Sequence, residues 1–279
     1  MSASAPSGNT SAFAPLDEVE ATDETLTGRA GLSLFSRYLR NIGIYPHLER
    51  LFGPLRKSAK GQPVPGLFHQ IFCFLLDGTS RHLVRFDDLK REAGYAAAIE
   101  VTEDAMASSH MIKRFFYAFR RGRIWLFRQV LQQLFLWRLE LEEPEAVVLG
   151  IDTMVMDNDE ALRREGVEPT YKKVKGFQPL QFTWGQFCVD AVFRGGSKHS
   201  NHGDTVLKAI RHLVGLVREH YEAEVPIVFA ADVGFFDQKL FALCEEMGVG
   251  YVTSGYLYEE IRTAAEQSLP AAWTHYEPR

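Results

Sequence analysis

The chain has 279 residues, 46% of them hydrophobic and 12% aromatic, enough apolar surface for one large domain or two modest ones. It has no run of 18 apolar residues, no basic leader ahead of an apolar stretch and no CxxC among its three cysteines, which argues against a membrane span, a secretory signal and a zinc site, and points to free thiols in a reducing, cytoplasmic setting. The net charge of −5 is unevenly spread: Arg29–Glu140 holds 18 basic and 9 acidic residues and Leu141–Arg279 holds 13 and 22, so the first half has the charge of a protein with an anionic partner.

In chain order, residues 1–26 are rich in Ser, Ala, Thr and acids, without periodicity, and read as a disordered tail. Residues 27–143 read as helical. Leu32, Leu34-Phe35, Tyr38-Leu39 and Ile42 recur at helical spacing until Gly43, and Tyr45–Phe52 forms a second short helix. Arg56–Pro63 is a basic loop, Pro65–Leu76 a buried helix ending at Asp77-Gly78, and Phe86–Gly94 a short amphipathic one. Ser108 or Ser109 starts a helix that runs to Arg121 and breaks at Gly122; Ile124–Leu141 is the next, ended by Pro144. Lys113, Arg114, Arg120, Arg121, Arg123 and Arg128 cluster here, and helical arithmetic sets Lys113, Arg120 and Arg121 near one face. Such a face follows a DNA phosphate backbone, although charged helix faces are commonly just solvated.

Residues 144–279 change to an α/β pattern. Val147-Val148-Leu149-Gly150-Ile151-Asp152-Thr153 is an apolar run leading into a carboxylate, and Ile227-Val228-Phe229-Ala230-Ala231-Asp232 repeats that form. Between them lie the polar Asp157–Val167, a basic loop Tyr171–Leu180 containing Lys172, Lys173 and Lys175, and a hairpin of Phe182–Trp184 and Phe187–Phe193 turned near Gly185. A polar loop with His199 and His202 follows, then an amphipathic helix over Val206–Tyr221. After Asp232 come a helix Phe236–Met247, a strand Val249–Thr253 and a helix Glu259–Gln267. Three strands, helix, strand, helix, strand is the order of a ribonuclease-H-like core. The expected fold is therefore α/β: a helical N-terminal region, then a mixed β-sheet with flanking helices. Asp152 and Asp232 fall at strand ends, where α/β sheets open to ligands. A lone aspartate there is most often a turn or cap residue; two on neighbouring strands suit a shared divalent metal, Mg²⁺ or Mn²⁺. His199 and His202 read as ordinary polar loop residues.

Several short motifs, in order, resemble the DDE-type transposases of bacterial insertion sequences: Gly150-Ile151-Asp152-Thr153, Lys175-Gly176-Phe177-Gln178-Pro179-Leu180, Gly195–Gly203, and Ala231-Asp232-Val233-Gly234-Phe235-Phe236-Asp237-Gln238-Lys239. The resemblance implies Asp152 and Asp232 as the first two catalytic, metal-ligating acids and double-stranded DNA (transposon ends and target) as partner. It also implies dimerisation and cleavage with strand transfer. Two features depart from the family pattern. Ala230 and Val233 stand where it usually has an arginine and often a serine, and its third acid, a glutamate beyond the last of these strands after a β-rich insertion, has no counterpart before Arg279. The expectation is a core incomplete at its C-terminus. The alternative to a working enzyme is a catalytically inactive DNA-binding remnant.

Overall fold

The computed structural model describes residues 27–56, 61–119, 121–160 and 164–268. Its contacts divide the chain into two compact units, Met1–Ala118 and Phe119–Arg279.

Among its described residues the first unit is helical: α1 (Gly31–Asn41), α2 (Ile44–Phe52), α3 (Val64–Asp77), α4 (Arg85–Leu89), α5 (Ala93–Ala98) and α6 (Ser109–Tyr117). The amphipathic segment expected over Phe86–Gly94 is two short helices, α4 and α5. Ser108 caps α6 by accepting the Met111 amide, as its position suggested. Aromatic rings fill the centre, with Phe68 at 5.0 Å from Phe52 and 5.2 Å from Phe115 between centroids. His69 of α3 is buried among polar partners. Its Nε2 lies 2.7 Å from the Ile99 carbonyl and its Nδ1 2.6 Å from the Tyr45 hydroxyl. A carbonyl only accepts, so Nε2 carries the proton and Tyr45 donates to Nδ1. Burial lowers the His69 pKa and pushes the Tyr45 hydroxyl and the Cys73 thiol each up to about 12.

The second unit begins with α7 (Arg121–Ile124) and α8 (Leu126–Glu142). Then come β1 (Val147–Thr153), the short strands β2 (Met156–Asp157), β3 (Glu168–Pro169) and β4 (Lys175–Phe177), and the hairpin β5 (Leu180–Trp184) and β6 (Phe187–Val192). Helix α9 (Thr205–His220), β7 (Ile227–Ala231), a 3-10 turn (Val233–Phe235), α10 (Gln238–Glu246), β8 (Gly250–Thr253) and α11 (Glu259–Gln267) complete it. Gly185 takes φ 57° in the β5–β6 turn, a left-handed position that glycine adopts without strain.

The main sheet has the order β6-β5-β1-β7-β8. β5 runs antiparallel to β1 and to β6, whereas β7 is parallel to β1 and to β8. An antiparallel three-strand meander joined by a helix crossover to two parallel strands is the ribonuclease-H-like arrangement, and the helical-then-mixed-sheet expectation holds. One face of this sheet is the core. Leu149, Ile151, Phe182 and Phe229 pack there with Phe135 and Leu139 of α8, Ile210, Leu213 and Val214 of α9, and Leu240 and Leu243 of α10. α8 thus packs in the unit of the sheet, although its sequence reads on continuously from the helical half. Its Arg128 makes a two-pronged ion pair with the fully buried Asp190 of β6, Nε to Oδ1 at 2.6 Å and Nη2 to Oδ2, and lies 4.4 Å over the Trp125 ring.

Two expectations about the basic segments fail. The helix beginning at Ser108 ends at Tyr117, not Gly122, and Gly122 lies inside α7. Lys113 and Arg121 are therefore on different helices, so the single-helix arithmetic that joined them does not apply. The basic loop Tyr171–Leu180 contains β4, the centre of a separate sheet in the order β2-β4-β3. Strands of two or three residues are too short to leave a period in the sequence.

Candidate active site

β1 and β7 pair in parallel with Gly150 opposite Ala230 and Ile151 opposite Ala231. Asp152 and Asp232 each follow directly, so the two carboxylates leave the sheet side by side at its C-terminal edge. Alternation along both strands puts them on the face opposite Leu149, Ile151 and Phe229. Both are exposed. Asp152 Oδ1 accepts the Thr153 amide at 2.6 Å, and Asp232 Oδ1 accepts the Gly234 amide at 2.9 Å, capping the 3-10 turn. The capping role open to any such aspartate is thus real for Asp232, and it uses one oxygen. The second oxygen of each has no hydrogen-bond partner among the described residues.

The surroundings hold these two ends in place. The Met154 amide donates to the Pro179 carbonyl at 3.2 Å, and Gln178, buried, reaches Thr153 Oγ1 with Nε2 at 3.5 Å. Beside Asp232, Asn201 Nδ2 donates to the Gly234 carbonyl at 3.1 Å and Thr253 Oγ1 to the Asp232 carbonyl at 3.0 Å. A short cleft lies next to this turn, lined by Asn201, Asp204, Asp237 and Lys239 among others. None of Gln178, Asn201 and Thr253 stands out as a site residue in the sequence: Gln178 and Asn201 carry no signal beyond lying in two of the motif segments, and Thr253 lies in none.

The two free oxygens are hard donors, the type Mg²⁺ and Mn²⁺ take. Mg²⁺ is commonly held by one or two protein carboxylates, with water and substrate phosphate completing the shell. The donor chemistry therefore fits such an ion. Among the described residues no group of three or more His, Cys, Asp or Glu is placed to hold a metal.

The other expected site residues lie on several elements of the two units. Lys172 and Lys173 form the exposed β3–β4 turn, Lys173 with φ 63°, and Lys175 opens β4, upstream of the Gln178-Pro179 segment that touches the β1 end. Lys113 and Arg114 are exposed on α6 in the first unit, where Arg114 borders a cleft of about 500 Å³ with Arg56, Leu67, Phe115 and Tyr117. Arg120 lies outside the described residues, and of Arg121 only the backbone is described. His199 and His202 stack edge to face, centroids 5.5 Å apart, in the loop that carries Asn201. Burial, and then Lys198, His199 and Arg194 nearby, lower the His202 pKa.

No curated protein sequence matches this chain. Three transposase structures are similar at low scores. The piggyBac transposase synaptic complex with hairpin DNA matches at 14% identity and TM-score 0.42, over 85% of this chain and 54% of that one, so the match spans about half the piggyBac chain. The Mos1 mariner paired end complex with Mn matches at 10% identity and TM-score 0.30, over 85% and 82% of the two chains, and the Mos1 catalytic domain at 9% and 0.30, over 48% and 61%. The family described as transposase DDE domain group 1 matches residues 16–279, nearly the whole sequence, and the chain belongs to that family of DDE transposases.

Proposed function

We propose that this chain performs the DNA cleavage and strand transfer of a bacterial insertion-sequence transposase, with Asp152 and Asp232 as carboxylate ligands of a divalent metal. The observation that carries the reading is their side-by-side exit from the parallel β1–β7 pair, each with one uncommitted oxygen. Bound there, Mg²⁺ or Mn²⁺ would polarise the scissile phosphate and favour an ionised attacking oxygen. Asp152 and Asp232 fix the charge at the strand ends, and the Thr153 and Gly234 amides hold their carboxylates in one orientation. Lys172, Lys173 and Lys175 take the backbone of double-stranded DNA near that edge, and Lys113, Arg114, Arg120 and Arg121 contact it from the helical region as separate groups. The third acid comes from outside the described residues, the working assembly is a homodimer on paired transposon ends, and the reaction runs in the bacterial cytoplasm.

The test is a nicking and strand-transfer assay with Mg²⁺ or Mn²⁺ on the element's own end sequence. Asp152→Ala and Asp232→Ala each abolish product if the reading holds; undiminished cleavage in either removes that residue from the site. The lack of a three-ligand group among the described residues favours a second reading, a catalytically inactive DNA-binding remnant. Salt-sensitive end binding without any nicking selects that one.

A further inference from the structure

Arg194 follows β6 and is only 8% exposed, yet among the described residues no carboxylate pairs with it. Its Nε donates to the Gln178 carbonyl at 3.1 Å and its Nη1 to the Ser200 carbonyl at 3.2 Å. Its own carbonyl accepts the Gln178 amide at 3.1 Å. Nη2 is buried with no hydrogen-bond partner among the described residues. A guanidinium kept from water with only neutral acceptors is a costly way to fill space; an aliphatic side chain would pack there without that desolvation. What the aliphatic chain lacks is a rigid fork that joins two carbonyls at a fixed angle.

The two carbonyls belong to the two segments that flank the aspartates. Gln178 and Pro179 contact Thr153 and Met154, which follow Asp152. Ser200 presses on the turn after Asp232: a Cβ on Gly234 would come 2.8 Å from its hydroxyl. The adjacent Asn201 bonds the Gly234 carbonyl. One buried side chain therefore bridges the supports of both strand ends, and no other described side chain hydrogen-bonds to both carbonyls.

We propose that Arg194 is a positioning residue for the candidate metal site, bracing the Gln178 and Ser200 segments so that Asp152 and Asp232 keep their mutual placement. This rests on the reading of the two aspartates as metal ligands. The test uses the full chain, Mn²⁺ alone as probe, and amide hydrogen exchange. Arg194→Met is expected to speed exchange at Met154 and Gly234 while the strand-centre amides of Leu149 and Phe229 keep their protection. It should also weaken Mn²⁺ binding by about 10- to 100-fold, the usual cost of losing a residue that orients ligands. Arg194→Lys, which reaches one carbonyl but not both, recovers part of each effect. A purely structural role would instead lower protection at all four amides together. Unchanged exchange at Met154 and Gly234 overturns the brace whatever Mn²⁺ does. Mn²⁺ binding that survives Asp152→Ala and Asp232→Ala overturns the metal reading, and exchange still decides the brace. Should Arg194→Met fail to fold, Asn201→Ala cuts the support at Gly234 from its other end. It must then loosen the Gly234 amide and weaken Mn²⁺ binding, or the proposal falls.

Discussion

The two faces of the five-stranded sheet are built from alternate residues of the same strands and have opposite fates. On β1, Leu149 is fully buried and Ile151 nearly so, while Val148, just before Leu149, is 49% exposed. On β8, the edge strand, Val252 is 65% exposed. The covered face has three helices over it and holds the unit together. The open face carries small residues, Gly150 and Ala230, and then the two aspartates. A side chain needs free solvent to receive a metal and a phosphate, so the same period of two that builds the core also leaves the two proposed ligands outside it. The core and the proposed site are segregated by parity along one strand.

The largest effect expected from breaking this division is on the covered face. Asp190→Ala leaves Arg128 buried without its partner and should cost about 3–5 kcal/mol in urea unfolding. The double change Arg128→Met with Asp190→Leu should recover most of that, because a matched apolar pair avoids the desolvation. If the single variant unfolds at the wild-type denaturant midpoint, the pair is not structural. Next is the contrast between neighbours on β1. Leu149→Ala should cost about 2–5 kcal/mol and Val148→Ala stay within about 0.5 kcal/mol. Equal costs would mean that the open face is covered in solution.

The ion pair also marks the limit of what could be read in the sequence. Arg128 stands in a run of cations that a linear reading assigns to DNA, and its partner is 62 residues away. Nothing local distinguishes it from Arg123. The sheet order, by contrast, was legible, because apolar runs ending at Gly150-Ile151-Asp152 and Ala231-Asp232 leave few ways to arrange strands around a helix crossover. The placement of the two aspartates at the ends of neighbouring strands was legible for the same reason. Their supports were not. Gln178, Arg194 and Asn201 act through main-chain carbonyls and a neighbouring side chain, contacts that leave no composition or spacing behind. The β2-β4-β3 sheet escaped notice because its strands are held by backbone fit: a Cβ on Gly196 would collide with the carbonyls of Glu168 and Gly176.

That fit predicts a smaller loss, about 1–3 kcal/mol for Gly196→Ala, since backbone oxygens cannot step aside as a side chain can. Thermal unfolding measures it, and a neutral result would show that the small sheet is not packed on this loop. In the helical unit, His69 gives a pH test of comparable size. Its folded pKa is lowered from 6.5 by burial, so below 6.5 the unfolded chain binds the proton more readily. Stability is complete above that value and falls as pH drops towards the folded one, by at most about 1.4 kcal/mol per pH unit. Amide exchange in α3 should follow this slope in the wild type and lose it in His69→Gln.

The finest test concerns the loop beside the aspartates. Glu168 of β3 accepts both the amide of Ser197, at 3.1 Å, and its hydroxyl, and these bonds hold its pKa below the ordinary 4.5. A carboxylate whose folded value is depressed contributes its stabilisation above the unfolded value and loses it as pH falls through the folded one. The Ser197 amide resonance should therefore titrate with a midpoint under 4.5, and Glu168→Gln should remove the titration without unfolding the sheet. Ser197 lies three residues from Arg194 and three from Ser200. Slackening at this anchor should reach the Gly234 amide only weakly while the arginine brace is intact, and strongly once Arg194→Met has removed it. If protonating Glu168 loosens Gly234 equally in both backgrounds, the loop is held by its acidic anchor and not by Arg194.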